Sequence, residues 1–240
     1  MIEKLEDVFL RVQKPSRYTG GELNSVTKDL DDVAVRFAFC FPDLYEVGMS
    51  HLGMKILYAQ FNNEPDVWCE RVFAPWGDME EEMRKRDIPL FALESQDPVR
   101  DFDFLGITLQ YEMSYTNILN MLDLAGIPLL SQDRTDEDPL VIAGGPNAYN
   151  PEPLADFIDL YYMGEGEVAY EDLFKAYAQH KKQGRSRREF LKIAAQIPGI
   201  YVPAFYDVIY EEQPAKGCEY TPRIAAVRPN RTDVPLSLIH

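Results

Sequence analysis

Long apolar runs alternate with amphipathic stretches through the middle of this chain. Residues 33–41 read Val-Ala-Val-Arg-Phe-Ala-Phe-Cys-Phe, a pattern expected of a strand covered on both faces, and Pro42 ends it. Across residues 50–62, Leu52, Ile56, Tyr58, Ala59 and Phe61 form one broad apolar face and predict a helix. Residues 67–74 read as a second strand, and residues 78–86 as a helix capped by Asp78 with Glu80, Glu81 and Glu82 on its solvated side. A third strand spans 102–109, and a helix at 115–125 is closed by Gly126 and Pro128. Fourth and fifth strands fall at 140–143 and 157–163, followed by helices at 168–179 and 187–196 across a polar, basic break. Strands alternating with helices predict right-handed βαβ units. The expected fold class is therefore α/β: a doubly wound, Rossmann-like or flavodoxin-like sheet of five parallel strands over residues 31–198. Residues 1–30 form an ordered extension. Residues 199–240 form a β-rich stretch with short pieces at 201–206 and 224–227, and its apolar end predicts that a further domain follows.

Two strands end on glycines. Val141-Ile142-Ala143-Gly144-Gly145-Pro146 is followed by Leu160-Tyr161-Tyr162-Met163-Gly164-Glu165-Gly166-Glu167. Glycine just past a buried strand lets backbone approach a bound molecule, and ligands of open α/β sheets sit outside the carboxyl ends of the strands. Glycine also serves ordinary tight turns. Two such exits in succession point to a binding edge at Gly144, Gly145, Pro146, Gly164, Glu165 and Gly166. On the same edge, Gln110, Tyr111 and Ser114 open the helix after the third strand. There, Ser114 or Thr116 can equally act as a simple cap.

Composition narrows the function classes. Lys plus Arg number 24 against 40 Asp plus Glu, a net charge of −16 that opposes binding to a phosphate backbone, so no direct nucleic-acid contact is expected. No apolar run reaches the roughly 18 residues of a membrane span, and the amino terminus lacks a signal-peptide pattern, so the expected location is cytoplasmic. Cys40, Cys69 and Cys218 are far apart and fit no clustered metal spacing; Cys40 and Cys69 lie in strand-like runs as packing residues. With 3 histidines in the chain, one of them His240, no metal site and no catalytic residue is assigned.

Between the first strand and its helix, Asp43, Tyr45 and Gly48 are spaced Asp-x-Tyr-x-x-Gly. These are the offsets of the Asp-x-His-x-x-Gly signature of cobalamin-binding domains, whose histidine ligates cobalt. A phenol is a poor transition-metal donor beside imidazole, so Tyr45 is no strong ligand. His51, six residues on, reads better as a helix cap than as a substitute ligand, and Glu46 as an acceptor near the helix start. Cobalamin can sit here without a protein nitrogen on cobalt, its dimethylbenzimidazole tail against the glycines. Alternatively, the domain keeps the fold without the ligand and serves to dock a partner. No Gly-x-Gly-x-x-Gly loop follows the first strand to support a nucleotide-binding enzyme.

Seven blocks in order carry a resemblance over about residues 10–206. They are Arg17-Tyr18-Thr19-Gly20-Gly21-Glu22, the run from Phe41 to Ser50, Glu70-Arg71-Val72-Phe73-Ala74-Pro75-Trp76, Leu109-Gln110-Tyr111-Glu112, Ala143-Gly144-Gly145-Pro146, Asn150-Pro151-Glu152-Pro153 and Gly164-Glu165-Gly166-Glu167. Together they resemble the amino-terminal part of radical S-adenosylmethionine (SAM) proteins that carry a cobalamin-binding domain. The resemblance implies a downstream radical SAM barrel as the domain's partner, with a Cys-x-x-x-Cys-x-x-Cys motif that holds a 4Fe-4S cluster and cleaves S-adenosylmethionine. That motif is not in this chain. The expected task is to hold cobalamin over the barrel's active site, or to close that site as a lid.

Overall fold

The computed structural model describes residues 2–184, 186–214 and 222–230. Helices are α1 (Ile2–Phe9), α2 (Tyr45–Ser50), α3 (Leu52–Asn63), α4 (Gly77–Arg86), α5 (Tyr115–Ala125), α6 (Gly166–Lys182) and α7 (Arg187–Ala194). Strands are β1 (Val35–Phe41), β2 (Val67–Phe73), β3 (Phe104–Thr108), β4 (Leu140–Gly144), β5 (Leu160–Tyr162), β6 (Ile200–Tyr201), β7 (Tyr206–Pro214) and β8 (Pro222–Pro229). The first six form one sheet in the order β2-β1-β3-β4-β5-β6, and the last two pair antiparallel as a separate sheet.

The five expected strands are present and mutually parallel, but the sheet is not a five-stranded parallel one. Ile200–Tyr201 adds a sixth strand, antiparallel to β5, with Tyr161 opposite Tyr201. Two half-buried residues carry no periodicity of their own. Their pairing is decided by the edge that β5 leaves open.

Side chains of successive strand residues point to opposite faces, and both faces are buried. One face sends Ala38, Cys40, Leu105, Ile107 and Val141 into a core with Met79 and Met83 of α4 and Ile118 and Leu122 of α5. Leu5, Val8, Val12 and Tyr18 of the amino-terminal segment complete that core, so the segment is packed as well as ordered. The other face sends Phe37, Phe39, Phe104 and Ile142 against Phe61 of α3, Tyr170 and Phe174 of α6, and Phe190 of α7. Trp76, not Asp78, occupies the cap position of α4; Asp78 lies in the first turn and accepts the Gln13 N–H at 2.6 Å.

β2 is the outer strand, and side chains answer its outward backbone groups. The Asn62 amide accepts from the Cys69 N–H at 3.0 Å and donates to its carbonyl at 2.9 Å. Glu94 accepts from the Arg71 N–H at 2.7 Å, the Leu93 N–H donates to the Arg71 carbonyl at 2.8 Å, and Lys28 donates to the Val67 carbonyl. Within this strand the buried Glu70 pairs with Arg36 at 2.6 Å, and the buried Arg71 with Glu94 at 2.7 Å.

Candidate functional site

Strand order reverses between β1 and β3, which opens a crevice above the carboxyl ends of the strands. A cleft of about 300 Å³ lies there, bounded by Gly106, Thr108 and Gln110 at β3, Gly144, Gly145 and Pro146 at β4, and Gly164, Glu165 and Gly166 at β5. The starts of α3 and α6 form its remaining walls through His51, Gly53, Met54, Leu57 and Tyr170. Seven of the residues singled out from sequence thus meet at one cleft: Gln110, Gly144, Gly145, Pro146, Gly164, Glu165 and Gly166.

These glycines do different jobs. Gly145 has φ 100°, a conformation that L side chains rarely adopt, and a Cβ there would fall 2.8 Å from the Leu109 carbonyl oxygen. It is a turn residue. A Cβ on Gly144 would meet only the Tyr170 hydroxyl at 3.5 Å and the Tyr162 carbonyl at 3.8 Å, so its missing side chain is open room in the cleft. Glu165 occupies the cap position of α6, and its carbonyl accepts the Tyr162 hydroxyl proton at 2.9 Å.

His51 caps α3, as expected: its Nδ1 accepts the Met54 N–H at 3.2 Å, which leaves the ring proton on Nε2. The ring also packs against Phe41, with centroids 5.3 Å apart. Its capping role and its place in the cleft wall coexist.

The other six singled-out residues do not line the cleft. Asp43 accepts from the Leu44 N–H at 2.7 Å and from the Tyr111 hydroxyl at 3.3 Å, and Asp43's charge pushes the Tyr111 phenol up. Tyr45 donates to Glu22 at 3.0 Å and packs edge-on against Phe73. Glu46 pairs with Arg17 at 2.9 Å and Lys14 at 3.3 Å, and Arg17 holds its carboxyl down at about 2. Gly48 is buried; a Cβ there would fall 2.3 Å from the Phe73 ring. Ser114 begins α5 without a side-chain cap bond, and its hydroxyl donates to the Tyr111 carbonyl at 2.8 Å. The Asp43–Gly48 loop is therefore tied to the amino-terminal segment, where Glu22 in turn meets Arg71 at 3.5 Å.

Exposed apolar side chains crowd the same end of the sheet. Val47 and Leu52 follow β1, Trp76 follows β2, Tyr111 and Met113 follow β3, Tyr149 follows β4 and Val168 follows β5. Apart from Tyr111, sequence reasoning missed this rim, and it missed Met54, Leu57, Tyr162 and Tyr170 in the cleft. The available signal was helical spacing: Gly166, Tyr170 and Phe174 lie four apart on α6.

A larger cavity of about 740 Å³ opens between the 130–136 loop, α7 and β7. In it Asp159 accepts from Arg134 at 2.8 Å, from Ser131 at 2.6 Å, from the Val141 N–H at 2.7 Å and from Arg187, while Glu152 Oε2 and Arg187 Nε are buried without a hydrogen-bond partner among the described residues. Among the strands of the sheet it meets the exit of β6, at Tyr201 and Pro203–Phe205, and none of the parallel-strand exits. Among the described residues no group of His, Cys, Asp and Glu is placed to hold a metal ion. Cys40 and Cys69 are buried free thiols pushed up by desolvation, in line with a packing role; Cys218 and His240 lie outside the described residues. No helix among the described residues is long and apolar enough to cross a membrane.

Residues 53–203, which carry most of the cleft, match the family model of radical SAM proteins, N-terminal. The chain belongs to this radical SAM N-terminal family. The family match begins at Gly53, just past the Asp43–Gly48 loop, and runs through the exits of β3, β4 and β5. An uncharacterized protein of Methanocaldococcus jannaschii is 26% identical over 132 residues, which cover 54% of this chain and 24% of that relative. The radical SAM N-terminal chain thus spans about a quarter of the curated relative it matches. No solved structure matches it.

Proposed function

We propose that this domain serves a radical SAM enzyme by holding cobalamin at the carboxyl edge of its sheet, with the cofactor's benzimidazole base in the 300 Å³ cleft and no protein nitrogen on cobalt. The observation that carries the reading is the convergence of three strand exits and two helix starts on one cleft with room beside Gly144. A flavodoxin-like reading of the β2-β1-β3-β4-β5 portion of the sheet goes with it. The residues present fit the base and do not fit a lower ligand. Tyr45 is committed to Glu22, and the His51 Nδ1 is committed to the Met54 amide. Bound cobalamin supplies a redox-active cobalt that carries alkyl groups; the protein's part is to seat the base and exclude water from it. The 4Fe-4S cluster and S-adenosylmethionine belong to the radical SAM domain that this module partners.

A second reading is a docking module of the same fold without the cofactor. The exposed apolar side chains from Val47 to Val168 at the strand ends favour it, because large apolar residues left exposed at one end of a sheet suit an interaction face. Titration of the purified protein with hydroxocobalamin, read by the visible spectrum, separates the two. The cobalamin reading expects saturable binding with a spectrum unchanged by His51→Ala. Absence of binding leaves the docking reading, and a spectrum that changes in His51→Ala assigns that histidine to cobalt.

A further inference from the structure

Tyr170 is an exception among the buried tyrosines. Tyr161 donates to the Pro151 carbonyl at 3.0 Å and Tyr162 to the Glu165 carbonyl at 2.9 Å, while Tyr58 accepts the Val26 N–H at 2.8 Å and Tyr18 the Trp76 N–H at 3.0 Å. Tyr170 is 9% exposed, and its hydroxyl has no hydrogen-bond partner among the described residues. The hydroxyl keeps its contact with solvent at the cleft, so it stands free to meet a ligand where the other tyrosine hydroxyls are spent on the protein. Its ring is held rigidly by Phe61 at 4.7 Å, Tyr162 at 5.4 Å and Phe174 at 5.7 Å. The hydroxyl is aimed at the cleft: it is the nearest atom, at 3.5 Å, to the side-chain position that Gly144 leaves empty. Burial pushes the phenol well above its ordinary value, so it stays protonated and able to donate.

The cleft that the hydroxyl faces is mostly apolar. Phe39 and Tyr162 line the cleft with Tyr170, and Gly144 sends no side chain into it, whereas the place of a Gly106 side chain is filled by the Phe37 ring. We infer that Tyr170 is the specificity residue of the cleft: its hydroxyl donates a hydrogen bond to the acceptor nitrogen of a planar heteroaromatic base inserted beside Gly144. The inference rests on the proposed function in placing a ligand base in this cleft. Such a base can come from the tail of cobalamin or from a free nucleoside, and the same chemistry recognises both.

The test compares benzimidazole, which carries an acceptor ring nitrogen, with indole, which has the same shape and none. Wild-type protein and Tyr170→Phe are titrated with each probe by calorimetry, with adenosine and hydroxocobalamin as further arms. Wild type is expected to bind benzimidazole about tenfold more tightly than indole, the value of one buried hydrogen bond. Tyr170→Phe should reduce that preference to about twofold or less and leave indole affinity unchanged, which shows that the cleft is intact. Equal affinities in wild type, a preference that survives in Tyr170→Phe, or no binding of either probe overturns the inference. Benzimidazole preference lost in Tyr170→Phe, with no binding of hydroxocobalamin, upholds the inference while the cobalamin reading falls. Tighter binding of adenosine than of benzimidazole, lost in the same variant, upholds it with a nucleoside as the source.

Discussion

Gly144 and Gly145 are neighbours, yet adding one methyl group to each should have opposite consequences. Gly145 sits at φ 100° and ψ −178°, and an alanine there would bring its Cβ to 2.8 Å from the Leu109 carbonyl oxygen. Backbone strain of this kind costs about 1–3 kcal/mol. The clash is with backbone that is itself fixed by bonds from the Leu109 N–H to the Gly144 carbonyl at 2.7 Å and from the Asn147 N–H to the Leu109 carbonyl at 3.0 Å, so little relaxation is available. Taking about 2 kcal/mol, Gly145→Ala should lower the thermal midpoint by about 4–8 °C in a domain of this size. Gly144 has an ordinary φ, and its added methyl would make only normal contact with the Tyr170 hydroxyl. Alanine there also restricts the unfolded chain, so stability should hold or rise by about 0.4–1 kcal/mol. The same methyl occupies the space proposed for the ligand base, and benzimidazole affinity should fall by about tenfold through overpacking. Thermal melts with probe titrations on both variants decide the matter. A Gly145→Ala protein that melts like wild type, or a Gly144→Ala protein that loses several degrees, would refute the division of labour between the two glycines.

Two further outcomes follow from the charged groups. Arg71→Ala removes the partner of Glu94, whose side chain is fully buried, and should cost about 3–5 kcal/mol in urea unfolding; a loss under about 1 kcal/mol would show that the buried Arg71–Glu94 pair does not hold the fold together. Arg17 depresses the Glu46 carboxyl to about 2, so the stabilisation is complete above the unfolded carboxylate value near pH 4.3 and disappears as pH falls through 2. Glu46 is half exposed, so wild type should exceed Glu46→Gln by less than about 1 kcal/mol at neutral pH, and the two unfolding curves should converge on acidification; a gap independent of pH contradicts this.

The strands β1 to β4 were readable because each is buried on both faces, which writes a mainly apolar run into the chain, interrupted at Arg36 in β1 and at Glu70 and Arg71 in β2 by charges that are paired in the structure. β6 was not readable, since its two half-buried residues depend on a partner strand some forty positions earlier. α1 had a signal in Leu5 and Val8, spaced for one helical face, but the helix is too short for periodicity to stand out. At the site, the glycine exits announced themselves, whereas Asp43, Tyr45 and Glu46 were grouped with them by position along the sheet edge. Their side chains turn instead to one another's neighbours, Tyr111, Glu22 and Arg17, through contacts that local pattern cannot encode. Tyr170 was hidden for a different reason: on a helix, an apolar-facing tyrosine looks like core until its hydroxyl is found without a partner.

The plugged outer edge of β2 has a bearing on how this module meets other chains. A bare outer strand invites a neighbouring strand to pair with it, in recognition as in aggregation. Here Asn62, Glu94 and Lys28 occupy the hydrogen-bonding positions that an incoming strand needs. An incoming strand would have to displace an amide, a buried carboxylate and an ammonium group before making its first rung. Sheet extension is thereby closed at β2, and a partner approaching from that side would meet side chains rather than strand backbone, as it would at the strand ends where Trp76, Tyr111, Met113 and Tyr149 stand exposed.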